Sequence, residues 1–293
     1  MPTSVLIIAN PVAGGGQGRI RAEALSRALE ARGCAVVCRL TEKSGDGQNF
    51  AGEAEPVDCI AVVGGDGTLN EVVNGVREPG VCIAALPAGS ANVVAREFGI
   101  TPDAERVASW IVEGRARPMD LLESNGRRII LGAGAGLDAA IATAVKARRG
   151  SKSSVFHWIL PGIQTALHYT YPCVRVTVDG AVVCERSPYV VVGNCRYSAG
   201  IFPATRKAQV DDGLIDVVAL KRLNAWRLPL LLATVWSPRF PERDDLVYVQ
   251  GREVHLEPVD GVPVALQIDG DPAGVTPARF TILPKAIRFV TPC

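Results

Sequence analysis

Where the apolar run Val62-Val63 ends, the chain reads Gly64-Gly65-Asp66-Gly67-Thr68-Leu69-Asn70-Glu71. Three glycines strip side chains from the turn, so a ligand can approach the backbone and meet free amides, and a helix starting there adds a favourable dipole. That combination suits a phosphate. The same residues also read as a tight turn with a well-started helix, because Thr68 and Glu71 have the T-x-x-E spacing of a capping box. Asp66 is harder to explain structurally. A carboxylate there would repel a directly bound phosphate, and it is better suited to a ribose or base hydroxyl, or to a phosphate-bound Mg²⁺ reached through water. The turn is not a Walker A loop, since no Gly-Lys-Ser/Thr follows.

Two further turns share this layout, from Asn10 to Gly18 and from Leu86 to Asn92. Each follows an apolar run, and each run is followed by a helical pattern. "SVLIIA", "AVVCRL", "CIAVVGG" and "VCIAALP" read as strands; 18–32, 44–54, 69–76, 91–98 and 103–113 read as helices. Apolar strands between helices indicate a parallel sheet covered on both faces, and turns after parallel strands converge on one edge, where open α/β folds bind ligands. From Met119 onward the rhythm becomes antiparallel. Hairpins are expected at Asn125-Gly126, Asp179-Gly180 and Gln250-Gly251, with β runs at "YVVVGN", "GLIDVVAL", "VALQID", "RFTIL" and "AIRFV", and helical insertions over 139–148 and 225–235. The expected architecture is an α/β nucleotide-type domain over residues 1–122 and a β-sandwich-like domain over 123–283, with the tail 284–293 packing back on the first.

Composition excludes little but does exclude something. With 31 basic and 30 acidic side chains the net charge is +1, which gives no footprint for a nucleic acid partner. The eight cysteines form no CxxC pair and fall mostly in strand-like runs, so they are expected as buried reduced thiols, in keeping with the cytoplasm, and no zinc site is expected. The start "MPTSVLIIANP" lacks the basic head and cleavage site of a signal peptide, and the apolar stretch 228–236 is too short to span a bilayer. His157, His168 and His255 show neither ligand spacing nor a nucleophile partner.

The ordered set "NPVAGGG", "GGDGTLNEVVNG", "LPAGSAN", "GAGAGLDA", "VDDGLIDV" and "QIDGDP" resembles the diacylglycerol kinase catalytic domain family, particularly its soluble bacterial lipid kinases. Sphingosine and ceramide kinases are relatives, and NAD kinases share the Gly-Gly-Asp-Gly turn. The resemblance implies an N-terminal domain like those of NAD kinase and phosphofructokinase, a C-terminal β-sandwich, ATP in the cleft between them, and Mg²⁺-dependent transfer of the γ-phosphoryl group to a lipid hydroxyl. It places nucleotide contacts on Thr41, on Gly64, Gly65, Asp66, Gly67, Thr68, Leu69 and Asn70, and on Ser90; Asn10 and Glu71, in the same polar turns, are expected to join them, Glu71 reading equally as a cap. It places a structural Mg²⁺ between the Asp212 carboxylate and the carbonyls of Gln209 and Leu214. Asp211-Asp212-Gly213 reads equally as a turn entering a strand.

The resemblance assigns the catalytic base to the acidic end of an Asp-Gly-Glu motif, which reads Asp269-Gly270-Asp271 in this chain. Asp271 is one methylene shorter than Glu, and a shift of roughly 1 Å at a reacting group costs about 100-fold in rate. Low activity, a base role for Asp269, or backbone adjustment are the alternatives; a plain hairpin turn is another. A second departure lies at Val93, where the family carries a carboxylate, expected at the third position of the helix after Ser90. On the lipid side, Lys146, Arg148, Arg149 and Lys152 precede Phe156, Trp158, Ile159 and Leu160, which reads either as a peripheral contact with the inner face of a membrane or as a basic turn before a buried helix. Two rival functions share these motifs: a kinase for a soluble alcohol such as NAD, and a nucleotide- or lipid-binding regulator that has lost catalysis. A homodimer is expected by analogy alone.

Overall fold

The computed structural model describes residues 4–77, 81–147, 156–197, 202–229, 235, 237 and 243–292. The chain divides into two compact units, Met1–Asp120 with Pro284–Cys293, and Leu121–Leu283.

The first unit alternates β1 (Ser4–Ala9), α1 (Gln17–Glu30), β2 (Ala35–Leu40), α2 (Asp46–Gly52), β3 (Cys59–Gly64), α3 (Asp66–Gly75), β4 (Cys82–Pro87), α4 (Val93–Phe98) and α5 (Ala104–Val112). Its strands run parallel in the order β2-β1-β3-β4. The chain steps one way from β1 to β2 and the other way from β2 through β3 to β4. Right-handed crossovers therefore put α1 on one face and α2 and α3 on the other, which agrees with the packing of α1 on α5 and of α2 on α3. Covered on both faces, β3 is buried along its whole length. β2 lies at the sheet edge and is largely exposed. That explains why Cys38 is exposed, against the expectation of a buried thiol; the thiols of Cys34, Cys59, Cys184 and Cys195 are buried, and none of the described cysteines forms a disulfide.

The second unit carries β5 (Ala116–Ser124), shared with the first, then β6 (Arg127–Ile129), β7 (Gly132–Gly136), α6 (Leu137–Ala147), α7 (Phe156–His168), β8 (Val174–Val178), β9 (Ala181–Ser187), β10 (Tyr189–Gly193), β11 (Ile215–Leu220), β12 (Leu246–Gly251), β13 (Glu253–Pro258), β14 (Ala265–Ile268), β15 (Asp271–Val275) and β16 (Ala278–Val290). One antiparallel sheet runs β12-β11-β10-β7-β14-β15, and a second group runs β16-β13-β8-β9. Val190, Val192 and Val217 of the first sheet share a core with Val176, Leu256 and Phe280 of the second, while Val191, Val218 and Leu220 pack with Leu137 of α6 and Ala166 of α7. Neighbouring side chains on a strand face opposite ways, so a sheet buried on both faces needs the unbroken apolar runs of β10 and β11. β16 serves both units: Val254 pairs with Phe280 in the second, whereas Arg288 and Phe289 run parallel to Cys82 and Ile83 of β4 in the first.

Several local expectations are corrected. α3 starts at Asp66, not at 69, because the Leu69 amide already bonds the Gly65 carbonyl at 3.1 Å. "RFTIL" and "AIRFV" form the single strand β16. Gln250-Gly251 makes no hairpin, since β12 pairs with β11 and β13 pairs with β8 and β16. Gly251 is needed for another reason: a side chain there would run into Val178 and Asp179. The expected helix over 225–235 begins as a 3-10 turn at Ala225–Arg227, whose Arg227 amide donates to Asn224 Oδ1 at 3.0 Å, and much of the rest lies outside the described residues. Asn125-Gly126 and Asp179-Gly180 are two-residue hairpin turns with positive φ at both residues.

Candidate functional site

The order β2-β1-β3-β4 has its switch point between β1 and β3, the place where an open parallel sheet leaves a crevice at the C-terminal ends of its strands. Every nucleotide-site residue named from the sequence follows one of these four strands: Asn10 after β1, Thr41 after β2, Gly64 to Glu71 at the end of β3, and Ser90 after β4. The loops are tied to the neighbouring strands by backbone. The Asn10 amide donates to the Val63 carbonyl at 2.9 Å, the Thr41 amide to Ala9 at 2.8 Å, and the Ala88 amide to Gly64 at 2.8 Å. Within the first loop the Val12 amide donates to Asn10 Oδ1 at 3.2 Å, and Gly14, Gly15 and Gly16 all take positive φ before α1, whose first turn has no side-chain cap. Glycine alone adopts such a run without strain; the Gly16 amide donates to the Val12 carbonyl at 3.4 Å, and the Gly14 and Gly15 amides are the ones placed to meet a ligand or water.

The loops after β3 and β4 pack backbone to backbone. A Cβ on Gly89 would lie 2.6 Å from the Gly65 Cα, so Gly89 needs glycine for contact rather than for turning, and a Cβ on Gly65 would sit tightly at 3.3 Å from the Gly89 Cα. Asp66 joins them: its Oδ2 accepts the Val93 amide at 2.9 Å and its Oδ1 the Val94 amide at 3.1 Å. Burial pushes the Asp66 carboxyl above its ordinary range, and the two amide donors pull against that shift. α4 is thus capped by a carboxylate 27 residues away. Asn92 holds the N-cap position in the left-handed region, with φ 46, and its side chain closes the turn onto the Gly89 amide and carbonyl instead. Val93 is the first helical residue and is buried, so the expectation of a third-position residue is corrected. Gly64, Gly65, Asp66, Pro87, Asn92 and Val94 are among the residues lining a pocket at this edge. Gly67 is exposed, and a Cβ there would meet nothing within 4 Å.

Thr68, Leu69 and Asn70 are buried in the first turns of α3. Glu71 does not complete a capping box with Thr68. Its Oε1 accepts from Ser44 Oγ at 3.1 Å and from the Gly45 amide at 2.9 Å, and its Oε2 accepts the Gly47 amide at 3.1 Å. Asp46 closes the same loop, accepting the Glu42 and Lys43 amides at 2.8 and 2.9 Å, and these bonds hold its carboxyl below the usual range. Arg21 of α1 donates to the Pro87 carbonyl. Asn92 closes the Leu86 to Asn92 turn named from the sequence, whereas Arg21 carries no motif signal and Asp46 only that of the S-G-D-G cluster at 44–47, which hints at a built loop.

In the second unit, Asp269-Gly270 is a two-residue hairpin turn with φ 51 and 85, placing Asp271 opposite Ile268 at the start of β15. Asp269 Oδ1 accepts the Leu131 and Gly132 amides at 2.8 and 3.1 Å, and Oδ2 the Ile130 amide at 3.1 Å. Burial pushes its carboxyl up to about 6 against the pull of those amides. Gln209, Asp212 and Leu214 share the turn before β11, where the Leu214 amide donates to Asp212 Oδ1 at 3.0 Å. An exposed carboxylate keeps further lone pairs for a hard cation beside such a bond. Among the described residues, no three His, Cys, Asp or Glu side chains gather to hold a metal, so a cation on this turn would depend on carbonyls and water. The side chains of Lys146, Arg148, Arg149, Lys152, Phe156, Trp158, Ile159 and Leu160 lie outside what the structure describes. Among the described residues no helix is long and apolar enough to cross a membrane.

Residues 4–124 match the diacylglycerol kinase catalytic domain, and residues 132–291 match the YegS C-terminal NAD kinase beta sandwich-like domain. The chain is 25% identical over 268 residues to a protein named diacylglycerol kinase from Staphylococcus carnosus (strain TM300), covering 90% of this chain and 87% of that one. It is 27% identical over 278 residues to the "Probable lipid kinase YegS-like" of Shewanella frigidimarina (strain NCIMB 400), with the same coverage. A solved structure of a diacylglycerol kinase from Bacillus anthracis str. Sterne superposes with a TM-score of 0.79 at 24% identity, covering 99% of this chain and 97% of that one.

Proposed function

Because the chain belongs to the diacylglycerol kinase catalytic domain family and is a lipid kinase, we propose that it transfers the γ-phosphoryl group of ATP to the hydroxyl of diacylglycerol or a similar lipid alcohol. The observation that carries this reading is the convergence of Asn10, Thr41, Gly64 to Glu71 and Ser90 on the C-terminal edge of one parallel sheet, at its switch point. The Gly14 and Gly15 amides and the open approach over Gly67 suit ATP phosphates. Asp66 fixes the pocket wall through α4, and its remaining lone pairs can take a ribose hydroxyl or a metal-bound water.

Phosphoryl transfer asks the protein for positioning and for relief of developing charge. Asp271 is the residue we assign as base: it takes the hydroxyl proton as the lipid oxygen attacks the γ-phosphorus and the bond to the ADP oxygen breaks. Asp269, with both oxygens on backbone amides, holds the turn that carries Asp271. Mg²⁺ bound to the nucleotide would neutralise phosphate charge, and Gln209, Asp212 and Leu214 supply oxygens of the right hardness for a second, structural ion.

The test is transfer of labelled γ-phosphate from ATP to lipid alcohols in mixed micelles, with and without Mg²⁺, for wild type and Asp271→Glu. Labelled phospholipid from wild type supports the reading. No label on any of a broad panel of lipid alcohols overturns it, and NADP formed from NAD would redirect it to a soluble acceptor.

A further inference from the structure

Asp138, in the segment Gly132 to Ala139, is a carboxylate for which the reaction above has no use. It sits in the first turn of α6, and Gln267 Nε2 donates to its Oδ2 at 2.7 Å. Burial pushes the Asp138 carboxyl up to about 6, with the Gln267 bond pulling it back. The other end of the same amide is engaged too: Gln267 Oε1 accepts the Gly270 amide at 2.7 Å. An ionised carboxylate only accepts, so the amide has one orientation, with its NH₂ toward Asp138 and its oxygen toward Gly270. Gly134, opposite Gln267 in the β7–β14 pairing, leaves room for this contact; a Cβ there would collide with Asp138 Oδ2 and lie 2.9 Å from Gln267 Nε2.

We propose that Asp138 and Gln267 are positioning residues for the Asp269–Asp271 turn: the Asp138 carboxylate fixes the Gln267 amide, which holds the Gly270 N–H and thereby sets where the Asp271 side chain begins. The catalytic consequence rests on the reading of Asp271 as base. A carboxylate one methylene shorter than Glu has less reach, so the placement of its backbone decides whether it meets the hydroxyl. Asp269 pins the turn from the β6–β7 side and Gln267 from within β14, and the two grips are independent.

The pair can be exchanged end for end. Gln267→Glu alone turns two carboxylates on one another, whereas Asp138→Asn with Gln267→Glu restores one donor–acceptor contact and still offers an oxygen to Gly270. Gln267→Met fills the space and removes both bonds. The expected result for Gln267→Met and Gln267→Glu is a kcat about 10- to 100-fold lower with the KM for ATP unchanged, and recovery in the exchanged double variant. In protein labelled with [¹⁵N]glycine, the Gly270 amide should exchange with solvent at least about 10-fold faster in Gln267→Met and return toward wild type in the double variant. An unchanged Gly270 exchange rate in folded Gln267→Met, or a double variant that recovers neither exchange protection nor kcat, overturns the proposal. The exchange measurement needs no turnover. A wild type that phosphorylates no lipid would therefore remove the proposed function while the fate of the turn is still decided by Gly270.

Discussion

The Asp66 carboxylate and the Val93 amide meet at 2.9 Å although they open different helices, α3 after β3 and α4 after β4. One side chain thereby caps α4 and fixes the separation of two loops that line the same pocket. Asp66→Ala should lower stability by about 1–2 kcal/mol, the loss expected for a helix cap. It should also weaken ATP binding. Thermal unfolding and calorimetric titration with ATP check the two effects, and a normal affinity in the destabilised variant would confine Asp66 to capping.

The glycine contact beneath it is equally specific. Gly89→Ala would place a methyl group 2.6 Å from the Gly65 Cα, with no flexible side chain to yield. The expected cost is about 1–3 kcal/mol, the range for overpacking. Gly67→Ala, facing open space, should leave the unfolding midpoint in denaturant nearly unchanged while weakening nucleotide binding.

Asp271→Ala should retain ATP binding and lose about 10²- to 10⁴-fold in kcat, the span for removing a positioned base. Turnover equal to wild type in a lipid phosphorylation assay would remove Asp271 from that role. Asp271→Glu tests the shorter side chain: a gain shows that reach limits the native enzyme, and a loss shows that the turn is fitted to Asp.

Asp212→Asn keeps an oxygen to accept the Leu214 amide, so the turn should persist. It removes the charge a Mg²⁺ would need, and the Mg²⁺ concentration for half-maximal activity should rise several-fold. An unchanged Mg²⁺ dependence would leave Asp212 as a turn residue only.

Stability should respond to pH through Asp138, whose carboxyl rises from an ordinary 3.8 to about 6 on folding. The native state then holds a proton that the unfolded chain releases, so this contribution is complete below about pH 4 and is lost as the pH rises through 6. Asp138→Asn does not titrate and should gain in Tm relative to wild type between pH 4 and pH 7. A constant Tm difference over that interval would show that the Asp138 pKa is not raised. The groups facing Asp138 from neighbouring strands are Gln267 and Tyr189, and burial raises the tyrosine far above this range, so it stays neutral throughout.

The sheet edge that gathers Asn10, Thr41, Gly64 and Ser90 is legible in sequence because strand, polar turn and helix recur in a fixed rhythm, and right-handed crossovers then leave little choice of face. The partners of Asp66 and Glu71 are not legible. Their bonds reach 27 to 28 and 24 to 27 residues away, and depend on how closely two loops pack. The T-x-x-E spacing pointed to a local bond for Glu71, and the loop holding Gly45 and Gly47 competes for its carboxylate with better-placed donors. Gly251 misleads similarly, because glycine marks a close approach as readily as a turn. Asp269 could be found as a turn residue from Asp269-Gly270, but its three amide partners come from residues 130–132, well over a hundred positions earlier.

β16 is made long after β4, yet Arg288 and Phe289 close the edge of β4. During synthesis the first 120 residues emerge with that edge bare, and it stays bare until Arg288 and Phe289 have left the ribosome. A nascent chain of this protein therefore passes through a long interval in which its nucleotide-type sheet is four strands wide and open on one side. Mutations that weaken β16 should appear first as losses to aggregation during expression, before any loss of activity in the protein that survives.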